Sequence, residues 1–140
     1  MGGSLEYSIS PSFPALYVKY EHGFLRDEVG LGGYISSGFG SAYENVNHTH
    51  SDFISFSVAL LGYYHFNKLI SIEKMDVYGG AGLGLRNVQY SESGYNNIST
   101  VTIQYKVGIR YYVKPKFSFY AEGGFDGMTG FNLGITLKLR

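Results

Sequence analysis

The stretch VTIQYKVGIRYYV, residues 101–113, alternates without a break. Val101, Ile103, Tyr105, Val107, Ile109, Tyr111 and Val113 fall on one side, and Thr102, Gln104, Lys106, Gly108, Arg110 and Tyr112 on the other. Side chains of an extended chain point alternately to opposite faces, so this is a long strand with one apolar face. The pattern recurs in FISFSVALLGYYHF (53–66), where Ile54, Phe56, Val58, Leu60, Tyr64 and Phe66 oppose Ser55, Ser57, Ala59, Tyr63 and His65. FSFYAEGGF (117–125), FNLGITLKL (131–139), VGLGGYISSGF (29–39), ALYVKYEHGFL (15–25) and DVYGGAGLGLRNVQY (76–90) bring the strands to seven, and SLEYSIS (4–10) supplies an eighth. No helical period runs long enough to compete.

The connections differ in character by turns. RDE, NKLISIEKM and KPK mark one end of the strands; PSFP, NVNHTHS, SESGYNNI and DGMTG mark the other. An even number of antiparallel strands with both termini at one end is an up-and-down meander, and eight strands suffice to close it. The expected fold is all-β, an eight-stranded antiparallel barrel.

Composition agrees. The 140 residues include 14 Tyr, 10 Phe and 20 Gly but no Trp and no Cys, a mix that favours strands and turns and removes disulfide, thiolate and Cys-zinc chemistry. Eleven basic and eleven acidic residues balance, so no basic surface draws the chain to nucleic acid. No window approaches 18 consecutive apolar residues, which excludes a transmembrane helix but not a transmembrane barrel. The opening MGGS reads as an expression scar standing where a leader was removed, so residues 1–3 are expected outside a single domain spanning 4–140.

Alternation alone leaves the inside of the barrel undecided; the glycines decide it. In GGAGLG (79–84), Gly80 and Gly82 are two apart, with Gly84 next, and the strand alternation continues through Leu85 to Tyr90, where a phosphate loop would turn into a helix. These glycines, with Gly30, Gly32, Gly38, Gly40, Gly108, Gly124 and Gly134, share the polar face. A solvated outer face has little use for them, whereas a narrow lumen filled by Tyr, Arg, Lys and Glu needs small neighbours. The apolar set, including Val101, Ile103, Val107, Ile109, Phe117, Phe119, Leu133, Ile135 and Leu137, is therefore expected to face lipid, giving a transmembrane β-barrel with a polar, side-chain-filled lumen. If the KPK turn pairs Val113 with Phe117, Gly108 faces Glu122, and Lys106 and Arg110 flank that carboxylate. Lys19, Glu21 and Arg86 are expected in the same interior charge network.

The strings YYHFNK, DVYGGAGLGL, VGIRYYV, FYAEGGF and NLGITLKL, taken in order with PALYVKYEHGF and VGLGGYISS, resemble the small outer-membrane β-barrel family of Bacteroidetes. The resemblance covers about residues 15–140 and implies an eight-stranded barrel akin to outer-membrane proteins X and A, located in the cell outer membrane. It also implies an assembly signal in the last strand, for which Asn132, Gly134, Leu137 and Leu139 match. The departures are Leu139 where an aromatic residue is usual, and Arg140 after it.

Few residues suggest chemistry. His48 and His50 in NHTHS could ligate a metal, but a competent site wants a third ligand, so no metal and no cofactor are expected. His50 and Ser51 fall on opposite faces of any strand through them, poor placement for an acyl hydrolase, and His65 is expected inside as a hydrogen-bonded structural residue. The function expected is a non-enzymatic outer-membrane barrel, structural or surface-interacting, without a large open pore. Its expected partners are membrane lipid, the outer-membrane assembly machinery and an unknown surface ligand at loops 44–51 and 91–98. The alternatives are a soluble calycin-like barrel around an apolar ligand and a lipid-modifying outer-membrane enzyme.

Overall fold

The computed structural model describes residues 3–10, 15–25, 28–44, 49–70, 72–91, 96–127 and 129–139, apart from the side chains of 10, 42–44 and 49–51. Eight strands follow one another: β1 (Gly3–Ser10), β2 (Ala15–Phe24), β3 (Val29–Glu44), β4 (Thr49–His65), β5 (Met75–Tyr90), β6 (Ile98–Lys114), β7 (Phe117–Phe125) and β8 (Phe131–Lys138). Each pairs antiparallel with the next, and β1 closes on β8 from Ser4↔Lys138 to Ile9↔Leu133. Gly3, the first residue of β1, pairs with His22, and its carbonyl accepts the Leu139 amide at 2.6 Å.

The strands fall into two sets. β3, β4, β5 and β6 have 16 or 17 residues, while β1, β2, β7 and β8 have 8 to 10. Away from the termini, β2 pairs with β3 up to Ala15↔Gly38, and β7 pairs with β6 up to Tyr105↔Phe125. Beyond those points β3–β6 continue as an open four-stranded sheet raised above the rim. The expected loops at 44–51 and 91–98 are accordingly shorter than the sequence indicated. Ala42↔Ser51, Tyr43↔His50 and Glu44↔Thr49 pair across β3 and β4, and β6 starts at Ile98. The sequence of these stretches does not alternate, yet the antiparallel register continues through them.

The expected register of β6 and β7 holds in the body of the pair, with Gly108 opposite Glu122, but not at the turn. Phe117 lies opposite Lys114 instead of Val113, because a bulge shifts the register between Tyr112 and Lys114.

The apolar faces point outward. Leu60, Val101, Ile103 and Val107 are each exposed by 60% or more, while Lys19, Lys106, Arg110 and Glu122 are buried inside. From Phe24, Tyr64 and Tyr111 at the termini end up to Phe39, Ile54 and Val101, the outward positions carry no charged side chain. At about 3.3 Å per residue and a tilt of about 40°, Val29 to Phe39 rises roughly 25 Å, the height of the apolar belt of an outer-membrane barrel.

Inside, large rings stand opposite the smallest residues. Tyr63 pairs with Gly80, Tyr78 with Gly108, Tyr120 with Gly134 and Tyr34 with Ala59. A Cβ on Gly80 would lie 2.6 Å from the Tyr63 ring, and one on Gly134 2.7 Å from Tyr120; on Gly108 it would run into the Tyr78 hydroxyl. Gly124 is bound differently: its φ of 148° and its approach to the Tyr105 carbonyl leave no room for a side chain. Gly108→Ala should destabilise the barrel by about 1–3 kcal/mol through overpacking. Gly79→Ala, outward and meeting Phe66 only at an ordinary 3.6 Å, should change stability far less. Urea titration of the two variants in lipid vesicles measures the difference.

Candidate functional site

Two features stand out: the packed lumen and the raised sheet. In the lumen, strand alternation aims every second residue of all eight strands at one axis, and the acidic and basic side chains meet there in a continuous chain. Glu122 on β7 is its centre. One carboxylate oxygen accepts from Lys106 Nζ at 3.0 Å; the other accepts from Lys19 Nζ at 2.7 Å and from the Tyr78 hydroxyl at 2.9 Å. Towards the loop end, Lys106 also faces Asp126 at 3.2 Å, whose carboxylate accepts the Thr129 amide at 2.7 Å and thereby folds the β7–β8 connection. Thr129 in turn touches the Tyr17 hydroxyl at 2.9 Å.

Towards the termini, Lys19 pairs with Glu6 at 2.6 Å, and the other oxygen of Glu6 meets Arg110. Arg110 donates to Glu21 at 2.6 Å and to Asp76 at 3.0 Å. His65 lies between the same two carboxylates, Nε2 at 2.6 Å from Glu21 and Nδ1 at 2.8 Å from Asp76. Both its nitrogens face acceptors, an arrangement suited to the imidazolium. Tyrosine rings lag the cations: Lys19 sits 5.1 to 5.2 Å from the rings of Tyr63, Tyr78 and Tyr120, Lys106 4.9 Å from Tyr34, and the Arg110 guanidinium 4.1 Å from Tyr78.

Two of the expected residues pair differently. Arg110 holds its diagonal position beside Glu122, with Tyr120 directly opposite it on β7, but its guanidinium turns to the carboxylates of β1, β2 and β5. Arg86 is inward but lies nearer the loop end, where Nε donates to Ser55 Oγ at 2.9 Å and Nη1 to the Gly127 carbonyl, with no carboxylate among its described contacts. Sequence reasoning did not single out Glu6, Asp76 and Asp126. The first two were visible by parity, since Leu5 and Tyr7 are outward and so are Val77 and Ala81; Asp126 lies past the end of β7, where parity says nothing.

At the termini end the lumen opens into a cavity of about 670 Å³, floored by Glu21, His65, Asp76 and Arg110 and walled by Ile70, Ile72 and Tyr112. At the other end β3–β6 carry the raised sheet, with Ser41 donating to Asp52 at 2.7 Å on its outer face. His48 lies outside the described residues, as does the side chain of His50. In β8, Asn132 is inward and buried, and Leu137 and Leu139 are exposed, while Gly134 receives Tyr120.

Because Glu122 serves two buried lysines, Glu122→Gln should cost about 3 kcal/mol, the lower part of the range for breaking a buried pair, since Lys19 and Lys106 keep Glu6 and Asp126. Asp52→Asn on the raised sheet should cost under about 1 kcal/mol. Equilibrium unfolding from vesicles compares the two.

No family model and no curated protein matches the chain. Solved structures do. The N-terminal β-barrel domain of Pseudomonas aeruginosa OprF superposes with a TM-score of 0.61 at 19% identity, covering 99% of this chain and 96% of that one. Neisserial surface protein A gives 0.55 at 13% identity, with 99% and 92% covered. Ail, the attachment invasion locus protein of Yersinia pestis, in complex with the heparin analogue sucrose octasulfate, gives 0.53 at 18%, with 98% and 90% covered. At these identities the likeness is one of fold, and the fold is that of the small eight-stranded outer-membrane barrels.

Proposed function

We propose that the chain is a non-enzymatic outer-membrane β-barrel that anchors a raised four-stranded sheet at the cell surface for interaction with a partner, and has no large open pore. The observation that carries this reading is an uncharged apolar belt around an interior already filled by its own ion pairs. A soluble calycin-like barrel needs its apolar set inside, yet Ile103 is 72% exposed and Leu60 69%. A hydrolase needs a base free to act on a nucleophile, and both ring nitrogens of His65 are engaged by carboxylates. The location in the outer membrane rests on the sequence strings together with the fold; the recognition of the last strand by the assembly machinery and the kinship with barrels of Bacteroidetes rest on the sequence strings alone.

The raised sheet and the connections around it are where a partner would bind. Ail is seen with a polyanion, but here PSFP, NVNH, SESGYNN and the β7–β8 connection contain no Lys or Arg, while Asp52 stands exposed on the raised sheet. A neutral or cationic surface suits it better than a sulfated one.

The absence of Cys makes orientation directly measurable. On intact cells a membrane-impermeant maleimide should label Asn97→Cys at the loop end and leave Lys116→Cys unlabelled until the envelope is opened; labelling of Lys116→Cys alone would reverse the reading. In planar bilayers the refolded protein should give no large, stable open channel.

A further inference from the structure

Among the described residues, the lysines outside the lumen all belong to the termini end: the exposed Lys68, Lys74, Lys114, Lys116 and Lys138. Lys68 is taken up by Glu28. Lys114 and Lys116 have no carboxylate among their described contacts, and the bulge in β6 determines where Lys114 lies. Along β6, Lys106, Gly108, Arg110 and Tyr112 point inward, so an unbroken register would turn Lys114 into the lumen as well. The shift between Tyr112 and Lys114 sets Lys114 opposite Phe117, and cross-strand partners share a face. Lys114 is thereby brought to the outer side, at the edge of the belt formed by Tyr111, Val113 and Phe119. Phe117 and Phe119 meet edge to face at 5.2 Å. Lys116 follows in the exposed turn, its carbonyl fixed by the Lys138 amide at 2.9 Å.

Exposed ammonium groups beside aromatic rings at the margin of an apolar belt match the chemistry of an anionic phospholipid, with acyl chains against the belt and the phosphate at the lysines. We infer that Lys114 and Lys116, with Phe117 and Phe119, form a headgroup site selective for anionic phospholipid in the leaflet at the termini end. This rests on the membrane reading of the barrel. The loop end, with no basic residue in its connections, has no equivalent.

Because the chain contains no Trp, a single introduced Trp reports its local lipid. Phe119→Trp lies beside the lysines; Phe125→Trp lies at the other end of the same strand. Each refolded protein is inserted into vesicles mixing brominated phosphatidylglycerol with plain phosphatidylcholine, and then with the bromine on the other lipid. At Phe119→Trp the anionic lipid should be favoured about fivefold or more at low salt, with the preference shrinking as salt is added. Lys114→Gln with Lys116→Gln should bring the preference close to one, and Phe125→Trp should show little. No preference at Phe119→Trp, a preference that survives the double substitution, or an equal one at Phe125→Trp would overturn the inference while leaving the membrane reading intact. Failure of the unsubstituted chain to insert into either vesicle, seen as absence of heat-modifiable migration, would overturn both. Phe117→Trp provides a second reporter at the same belt if Phe119→Trp does not fold.

Discussion

Closing eight strands leaves an interior about one layer of side chains wide, and nearly every inward residue of this chain answers to that width. Tyrosines are long enough to cross it, and the rings of Tyr34, Tyr63, Tyr78 and Tyr120 are each set against Gly or Ala on a neighbouring strand. The buried cations sit among carboxylates and ring faces. Lys19, at 3% exposure, is ringed by two carboxylates and three tyrosines. Buried pairs of this kind add little net stability over apolar packing, but they are costly to break, and so they specify one arrangement of the interior.

Fold class, strand order and inside-out orientation were legible in the sequence because each has a short-range signature: period two, turn residues, and glycines concentrated on one parity. The pairing within the lumen was only partly legible. Cross-strand neighbours follow from the turns, which is why Gly108 opposite Glu122 could be deduced. Partners across the lumen depend on how the closed sheet staggers, and so Arg110 was assigned to Glu122 on β7 when it reaches Glu6 on β1 and Glu21 on β2 as well as its register partner Asp76 on β5. The bulge at Val113 and the raised sheet escaped for other reasons. The bulge lies at the very end of β6, where no residues follow to show a change of phase, and strand segments without apolar alternation look like loops.

The two ends of the barrel divide their tasks. At the termini end the turns are basic, an aromatic belt lies next to them, and the lumen opens over His65 and Arg110. At the loop end the folded connection of Asp126 and Thr129 sits over Tyr17 and Lys106, and half of the strands continue upward. The long half and the short half share one register below the rim, so the raised sheet is a direct continuation of the membrane-facing wall.

The cross-lumen pairs also bear on the order of events in folding. Lys19 and Glu122 are 103 residues apart, Glu21 and Arg110 89 apart, and neither pair is formed by any hairpin. Glu6 and Lys19, by contrast, already face each other within the first hairpin. Each hairpin can therefore assemble with its tyrosines seated and only part of its charge compensated, and the remaining compensation arrives in one late event, when the sheet curls and β1 reaches β8. The electrostatics of this chain act as a latch on ring closure, late and cooperative, in keeping with the slow formation of long-range contacts.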